Sequence, residues 1–205
     1  NIDVSLDSNS YSILIKQGMF KSISDYIAHL GNYNKIFIIS QKSIIDIFSP
    51  NILSPDNILL IEENETGKTF NEANRIINTL IEKRCNKDSL IIGFGGGVIT
   101  DLSGFVASIF MRGIDHIFIP TSLLSMIDAS IGGKTALNTS NAKNIIGTIK
   151  QPKAVYVDPL LLKQLPKKEV INGFAEMLKY GLISDRSLFN LLTENREKII
   201  DLSDM

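Results

Sequence analysis

Four glycines fall within five positions, Gly93, Gly95, Gly96 and Gly97. They follow the apolar run Leu90–Ile92 and precede a helix-like run in which Asp101 comes four residues after the last glycine. Glycines at the carboxyl end of a strand let a phosphate approach the backbone, and the helix that follows turns its N–H groups toward it. The row fails the dinucleotide pattern G-x-G-x-x-G at its last position, Val98. No clear acidic residue stands at a strand end about 20 positions on to grip a ribose. "SIGGKTALN" contains G-K-T, but the first Gly of a phosphate-binding P-loop would have to occupy the position of Asp128. Two readings stay open: a tight turn with Asp101 as a capping acid in the first helical turn, or a phosphate cradle that uses neither standard motif.

Further along, polar groups crowd segments that should be packing. Arg112, Asp128, Lys134, Lys143 and Asn144 lie in "MRGID", "PTSLLSMIDASIGGKTALN" and "NAKNIIG". One buried Asp or Lys is ordinarily a structural ion pair. Several such groups on loops after consecutive strands point to a ligand, because open α/β sheets bind at those ends. In "NGFAEMLKYG", Glu176 and Lys179 are three apart and share a helix face. They read either as a surface ion pair, or as an oxygen ligand for a metal beside a lysine for an anionic substrate.

The elements that must position these groups follow from hydrophobic period. "IDVSL" and "YSILIKQ" alternate around the turn-prone "DSNS" and predict a strand pair. "GMFKSISDYIAHLG" predicts a short helix stopped by Gly31. "NKIFIIS", "QKSIIDIF" and "DNILLIE" predict strand, helix, strand. "KTFNEANRIINTLIEKRC" sets Phe70, Ala73, Ile76, Ile77, Leu80 and Ile81 on one helical stripe. "DSLIIGF" is a near-continuous apolar strand, as in a parallel sheet covered on both faces. "VITDLSGFVASIF" predicts helix, "DHIFIP" strand, and "TSLLSMIDASIG" helix, so an open α/β sheet is expected. Beyond "PKAVYVD" the pattern becomes almost wholly helical, broken by Pro166 and the glycines. The expected division is an α/β domain over 1–165 and the beginning of an α-helical domain over 166–205.

The 205 residues carry a net charge of −1 with 44% hydrophobic and 21% charged residues, which suggests neither a nucleic-acid track nor a polybasic membrane patch. No apolar run approaches the roughly 18–20 residues of a membrane-spanning helix, and the first ten residues lack a signal-peptide pattern. Cys85 is the only cysteine, which fits a reducing, cytoplasmic compartment. The chain starts at Asn1, and "REKIIDLSDM" still reads as helix, so it is expected to be part of a longer protein.

In order along the chain, "ENETGKT", "GFGGGVITDLSGFVAS", "MRGIDHIFIPTSLLSMIDASIGGKTALN", "AKNIIGTIKQPKAVYVD", "LLKQLP" and "NGFAEMLKYG" resemble the 3-dehydroquinate synthase family of sugar-phosphate cyclases. That resemblance implies an N-terminal Rossmann-like NAD-binding domain with a parallel sheet, a C-terminal helical metal-binding domain, and a homodimer. The implied substrate is 3-deoxy-arabino-heptulosonate 7-phosphate. It is oxidised at a ring hydroxyl by NAD, loses phosphate, is reduced again, opens, and closes a carbocycle by aldol addition. The implied cofactors are NAD and a divalent metal, Zn or Co. Another sugar-phosphate cyclase or a metal-dependent polyol dehydrogenase of the same fold is the alternative enzyme; a non-catalytic nucleotide-binding protein is the alternative outside enzymes.

Carried over residue by residue, the family's pyrophosphate loop falls on Gly95, Gly96, Gly97, Val98, Ile99, Thr100 and Asp101. The adenosine-side loop falls on Glu63, Asn64, Glu65, Thr66, Gly67 and Lys68. Further NAD contacts fall on Thr121, Ser122, Lys134, Lys143, Leu161, Leu162, Lys163 and Gln164. The family's substrate contacts match Arg112, Asp128, Lys134, Asn144 and Lys179, and its one metal ligand from this region matches Glu176. Gln41 stands where the family usually places an Asp at the adenosine ribose. The family's metal site needs two His besides Glu176, whereas His29 and His116 fall in other regions. The resemblance therefore implies ligands beyond Met205, and a chain that alone neither holds zinc tightly nor turns over.

Overall fold

The computed structural model describes residues 1–48 and 55–202. Among the described residues nine strands are placed: β1 (Ile2–Val4), β2 (Tyr11–Ile15), β3 (Lys35–Gln41), β4 (Ile58–Ile61), β5 (Ser89–Gly95), β6 (Asp115–Pro120), β7 (Lys134–Leu137), β8 (Ile146–Ile149) and β9 (Ala154–Val157). The helices are α1 (Ile23–Ala28), α2 (Lys42–Phe48), α3 (Phe70–Glu82), α4 (Gly97–Ile109), α5 (Lys167–Ile183), α6 (Arg186–Glu194) and α7 (Arg196–Asp201).

Seven strands form one sheet in the order β1-β2-β9-β6-β5-β3-β4, with every pairing parallel except β1 with β2. β5 lies inside the sheet, between β6 and β3, and its two side-chain parities explain the unbroken apolar run. Leu90, Ile92 and Phe94 face one core with Ile38, Ile117 and Val155. Ile91 faces the other, with Phe37, Ile39, Ile99 and Leu102. On that second face Gly93 and Gly95 carry no side chain, and α4 presses close: a Cβ on Gly95 would stand 2.5 Å from Ile99 Cγ1.

α4 is apolar nearly all round because it is covered twice. The sheet lies on one side, and the antiparallel hairpin β7–β8 lies on the other. A Cβ on Gly104 would stand 2.7 Å from Thr135 Cγ2, and Thr148 Oγ1 donates to Ser108 Oγ at 2.7 Å. This hairpin is not expected from the sequence: "KTAL" and "IGTI" are short, and neither alternates cleanly.

α3 starts at Thr69, whose Oγ1 accepts from Glu72 N at 3.2 Å, satisfying a first-turn donor. Its buried stripe is narrower than expected. Ala73, Ile76 and Leu80 are buried, whereas Phe70 and Ile81 are 56% and 59% exposed. From α3, Arg75 Nη2 donates at 2.6 Å to the carbonyl of Leu60 on β4, a strand at the sheet's edge.

Two further expectations are corrected. The glycines do not break α5, which runs unbroken past Gly173 and Gly181. Instead they admit neighbours: a Cβ on Gly173 would lie 2.5 Å from Leu123 Cβ, and one on Gly181 2.8 Å from the Phe189 backbone. The segment 121–132 is only partly helical. Its centre, Ser125–Ala129, is a wider π turn, closed by Ser130 N on Ser125 O at 3.2 Å. The C-terminal helical pattern ends at Asp201, with Leu202 left-handed (φ 52°); residues 203–205 of that pattern lie outside the described residues. Among the described residues, no helix is long and apolar enough to cross a membrane.

Candidate active site

The chain leaves β3 for β4 at the edge, returns to β5 on the other side of β3, and goes on from there to β6 and β9. Strand direction of travel therefore reverses between β3 and β5, and the crevice at their carboxyl ends is where such sheets take ligands. Gly95, Gly96 and Gly97 stand at that point. Gly95 ends β5, Gly96 precedes α4 in extended backbone, and Gly97 opens the helix. First-turn N–H groups of a helix have no acceptors of their own, so this turn offers donors and the positive end of a 13-residue helix. A Cβ on Gly96 would meet only Ser122, at 3.3 Å from Oγ. The space beside the turn is thus open enough for an anion.

Thr121 and Ser122 lie against the same turn. Thr121 N donates to Gly95 O at 3.0 Å, and Ser122 Oγ and Ser125 Oγ share a hydrogen bond of 2.9 Å. Ile99 and Thr100 are buried, and their N–H groups go to Gly96 O, so they shape the turn rather than face the crevice. Val98 is half-buried between them and the surface.

Asp101 is not a capping acid. α4 begins at Gly97, which puts Asp101 in the second turn, where it ion-pairs with Lys68. Lys68 is nearly fully buried, and its Nζ also donates to Asn144 Oδ1 at 2.5 Å. Burial raises the Asp101 carboxyl above its ordinary value, against the opposing pull of Lys68, with Glu65 and Asp128 adding to the rise. A cleft of about 610 Å³ opens from this cluster, lined by Asp101, Asp128, Lys134 and Asn144 together with residues of the β7–β8 hairpin.

Asp128 sits on the π turn and accepts from Tyr180 Oη at 2.9 Å. Tyr180 lies one residue beyond Lys179 on α5, and Lys179 ion-pairs with Glu176. The Tyr180 hydroxyl is pushed up to about 12 by desolvation first, then by Asp128 and Glu176. Close seating of Gly173 on Leu123 brings α5 to the π turn, and so brings these groups to the Asp128 side.

The loop from Glu63 to Lys68 follows β4. Glu63 accepts from Ser43 N (3.0 Å) and Ser43 Oγ (2.8 Å), and Thr66 Oγ1 donates to Glu63 O at 2.7 Å. Asn64 is left-handed (φ 60°), and a Cβ on Gly67 would collide with Glu62 O. Glu65 accepts from Asn138 at 2.6 Å. Gln41 donates to Glu62 O at 3.1 Å, which ties the end of β3 to this loop.

Other expected residues lie apart. Leu161 and Leu162 are buried in the core, with Lys163 and Gln164 at the surface of the same turn after β9. Lys143 is exposed next to Asn144. Arg112 is at the far end of α4, exposed and left-handed (φ 63°), and does not line the cleft. Among the described residues no three His, Cys, Asp or Glu side chains gather as metal ligands. Glu176 pairs with Lys179, His29 Nδ1 is 2.6 Å from Asp25 O, and His116 is buried against Phe118, so these residues by themselves do not fit a catalytic metal. Asn138 and Tyr180 are the cleft-supporting residues that sequence reasoning passed over; their roles depend on contacts across 73 and 52 positions.

A largely parallel, open α/β sheet with a glycine turn at its switch point and a polar cleft beside it defines an α/β protein of the doubly wound class. The model of the 3-dehydroquinate synthase N-terminal family matches residues 58–172. The 3-dehydroquinate synthase of Prochlorococcus marinus subsp. pastoris is 43% identical over 210 residues, covering 97% of this chain and 58% of that protein. Among solved structures, 2-deoxy-scyllo-inosose synthase complexed with carbaglucose-6-phosphate, NAD+ and Co2+ aligns with a TM-score of 0.80 at 25% identity, over 89% of this chain and 52% of that one. The 2-epi-5-epi-valiolone synthase of Streptomyces hygroscopicus subsp. jinggangensis, with NAD+ and Zn2+ bound, gives 0.85 at 24% identity, over 97% and 56%. The chain belongs to the 3-dehydroquinate synthase family and has its fold. It spans about 58% of the length of that curated relative.

Proposed function

We propose that this chain is the NAD-binding part of a 3-dehydroquinate synthase, which converts 3-deoxy-arabino-heptulosonate 7-phosphate to 3-dehydroquinate and phosphate in the cytoplasm as a homodimer. The observation that carries this is the Lys68–Asp101–Asn144 cluster on the cleft holding Asp128 and Lys134, with the glycine turn next to it: a Cβ on Gly97 would stand 3.5 Å from Cβ of Ala129, which lines that cleft. Bound NAD supplies transient oxidation of a ring hydroxyl.

The chain's own residues bind and orient. The N–H groups at Gly96 and Gly97 and the α4 dipole hold the pyrophosphate, with Thr121 and Ser122 beside them. Glu65, Lys68 and Lys143 hold the remainder of the dinucleotide, and Leu161 to Gln164 contribute through their backbone. Because Lys68 already neutralises Asp101, the ammonium of Lys134 and the amide of Asn144 are left for an anionic group of the substrate. Asp128, held by Tyr180, presents an acceptor to a substrate hydroxyl. Lys179 serves the substrate from α5. Arg112, remote within one chain, reaches substrate only from outside this cleft.

Glu176 is the chain's contribution to a metal site whose remaining ligands are not among the described residues. Residues 166–205 then form the beginning of a helical domain that completes it. The test is phosphate release by the whole protein with NAD, zinc and the heptulosonate phosphate. A synthase releases phosphate with no net NADH. Net NADH without phosphate points to a polyol dehydrogenase, and turnover only of another sugar phosphate points to a sister cyclase.

A further inference from the structure

Asn138 uses three of its hydrogen-bonding groups to join two segments that come from different parts of the chain. Its Nδ2 donates to Glu65 Oε2 at 2.6 Å, its Oδ1 accepts from Asn144 N at 2.9 Å, and its own N donates to Lys68 O at 2.8 Å. Thr69 and Asn138 also pair as a parallel bridge. Lys68 Nζ closes the circuit on Asn144 Oδ1 at 2.5 Å. Asn144 is in the left-handed region (φ 56°), which asparagine adopts more readily than other non-glycine residues. The circuit has the 63–68 loop on one side and a residue of the cleft wall on the other.

We propose that Asn138 is a positioning residue that makes the 63–68 loop and the 138–144 segment one unit, so that a dinucleotide ordering the loop presets Asn144 for an anionic group in the cleft. This rests on the NAD-binding reading above. Ordering one part of a shared unit lowers the cost of ordering the other, which appears as positive coupling between two ligands. Linkage then requires the anion to tighten dinucleotide binding by the same factor.

The test is titration calorimetry with inorganic phosphate, without and with saturating NAD, and with NAD, without and with phosphate. The wild type is expected to bind phosphate about tenfold tighter with NAD present, and NAD about tenfold tighter with phosphate, within the usual range of such coupling. Asn138→Ala reduces both factors below about twofold. Asn138→Asp alone does the same, since it keeps the acceptor for Asn144 N but sets a carboxylate against Glu65. The pair Asn138→Asp with Glu65→Gln reverses the donor and acceptor and restores the coupling to that of Glu65→Gln alone, whose amide oxygen still accepts from Asn138, an outcome that a merely structural role does not produce. It also decides the matter if Asn138→Ala fails to fold.

NAD binding with no coupling in the wild type overturns the proposal and leaves the NAD reading intact. So does coupling that survives Asn138→Ala, or a folded pair that fails to restore it. A wild type that binds no NAD overturns the reading itself, and this proposal with it.

Discussion

Replacing Lys68 with Met removes one charge from the Lys68–Asp101 pair while keeping an unbranched apolar stem in the same place. The lysine side chain is 4% exposed and the aspartate 18%. Breaking a buried pair by deleting one partner costs about 3–5 kcal/mol, mostly for the charge left behind. Asp101 borders the cleft, so water reaches it, and a loss of about 2–3 kcal/mol at pH 8 is expected. Burial already raises the Asp101 pKa in the folded state, and Lys68 is what opposes that rise. Without Lys68 the folded pKa climbs further above the ordinary 3.8. The folded variant then binds a proton more readily than the unfolded chain does, so its stability falls as pH rises through that raised pKa. The deficit against wild type is therefore full at pH 8 and shrinks toward acid. Urea denaturation of both proteins at pH 8 and at pH 5 measures it. Adding Asp101→Asn to Lys68→Met removes the stranded charge and brings stability back to within about 1 kcal/mol of wild type. A deficit equal at both pH values, or one untouched by Asp101→Asn, would refute the reasoning.

The two glycines of the turn should separate folding from binding. Gly96→Val meets only Ser122 and is expected to abolish NAD binding in calorimetry with an unchanged circular dichroism spectrum, whereas Gly95→Val drives into Ile99 and lowers stability by about 1–3 kcal/mol. His116 has both ring nitrogens buried without partners, and its pKa falls to about 3, through burial first and then Lys150. Between that value and the ordinary 6.5 the unfolded chain binds more protons, so stability drops as pH falls across this window, by at most on the order of 5 kcal/mol. His116→Phe should flatten that acid limb of the stability curve; an unchanged slope assigns it to other groups. The chain alone should show no tight zinc binding by calorimetry and no phosphate release with substrate and NAD.

Much of the sheet could be read from the sequence because its strands are fully covered. Both parities of "SLIIGF" must be apolar, and such runs announce themselves. The glycine turn was equally visible, since only small residues permit Ile99 to lie so close to Gly95. What escaped were features set by tertiary neighbours. β7 and β8 pack on the outer side of α4, so their short strands carry mixed residues such as Thr135 and Thr148 rather than an alternating pattern. Gly173 and Gly181 looked like breaks because propensity counts their entropy cost and cannot see Leu123 and Phe189 filling the space. Asp101 leaves the cap and the ligand readings both open because the sequence pattern starts α4 at Val98, not Gly97, and the partner Lys68 lies 33 positions away. Glu63 and Glu65 follow only from family resemblance and Asn144 from the polar residues crowding its loop, but the Asn138 that ties Glu65 to Asn144 has no local signal at all.

The hydrogen bond from Arg75 to Leu60 has a bearing on how the protein behaves at high concentration. β4 is an outer strand of apolar sequence, "ILLI", with Leu60 41% exposed. Such a strand is a template on which a second molecule can add its own backbone. A guanidinium engaged with the Leu60 carbonyl, itself held by Glu72, occupies one of the acceptors an incoming strand needs and places charge on the rim. Arg75 thus guards the border of the sheet. Its loss would show first as sticking between molecules, in light scattering, before any change in the cleft.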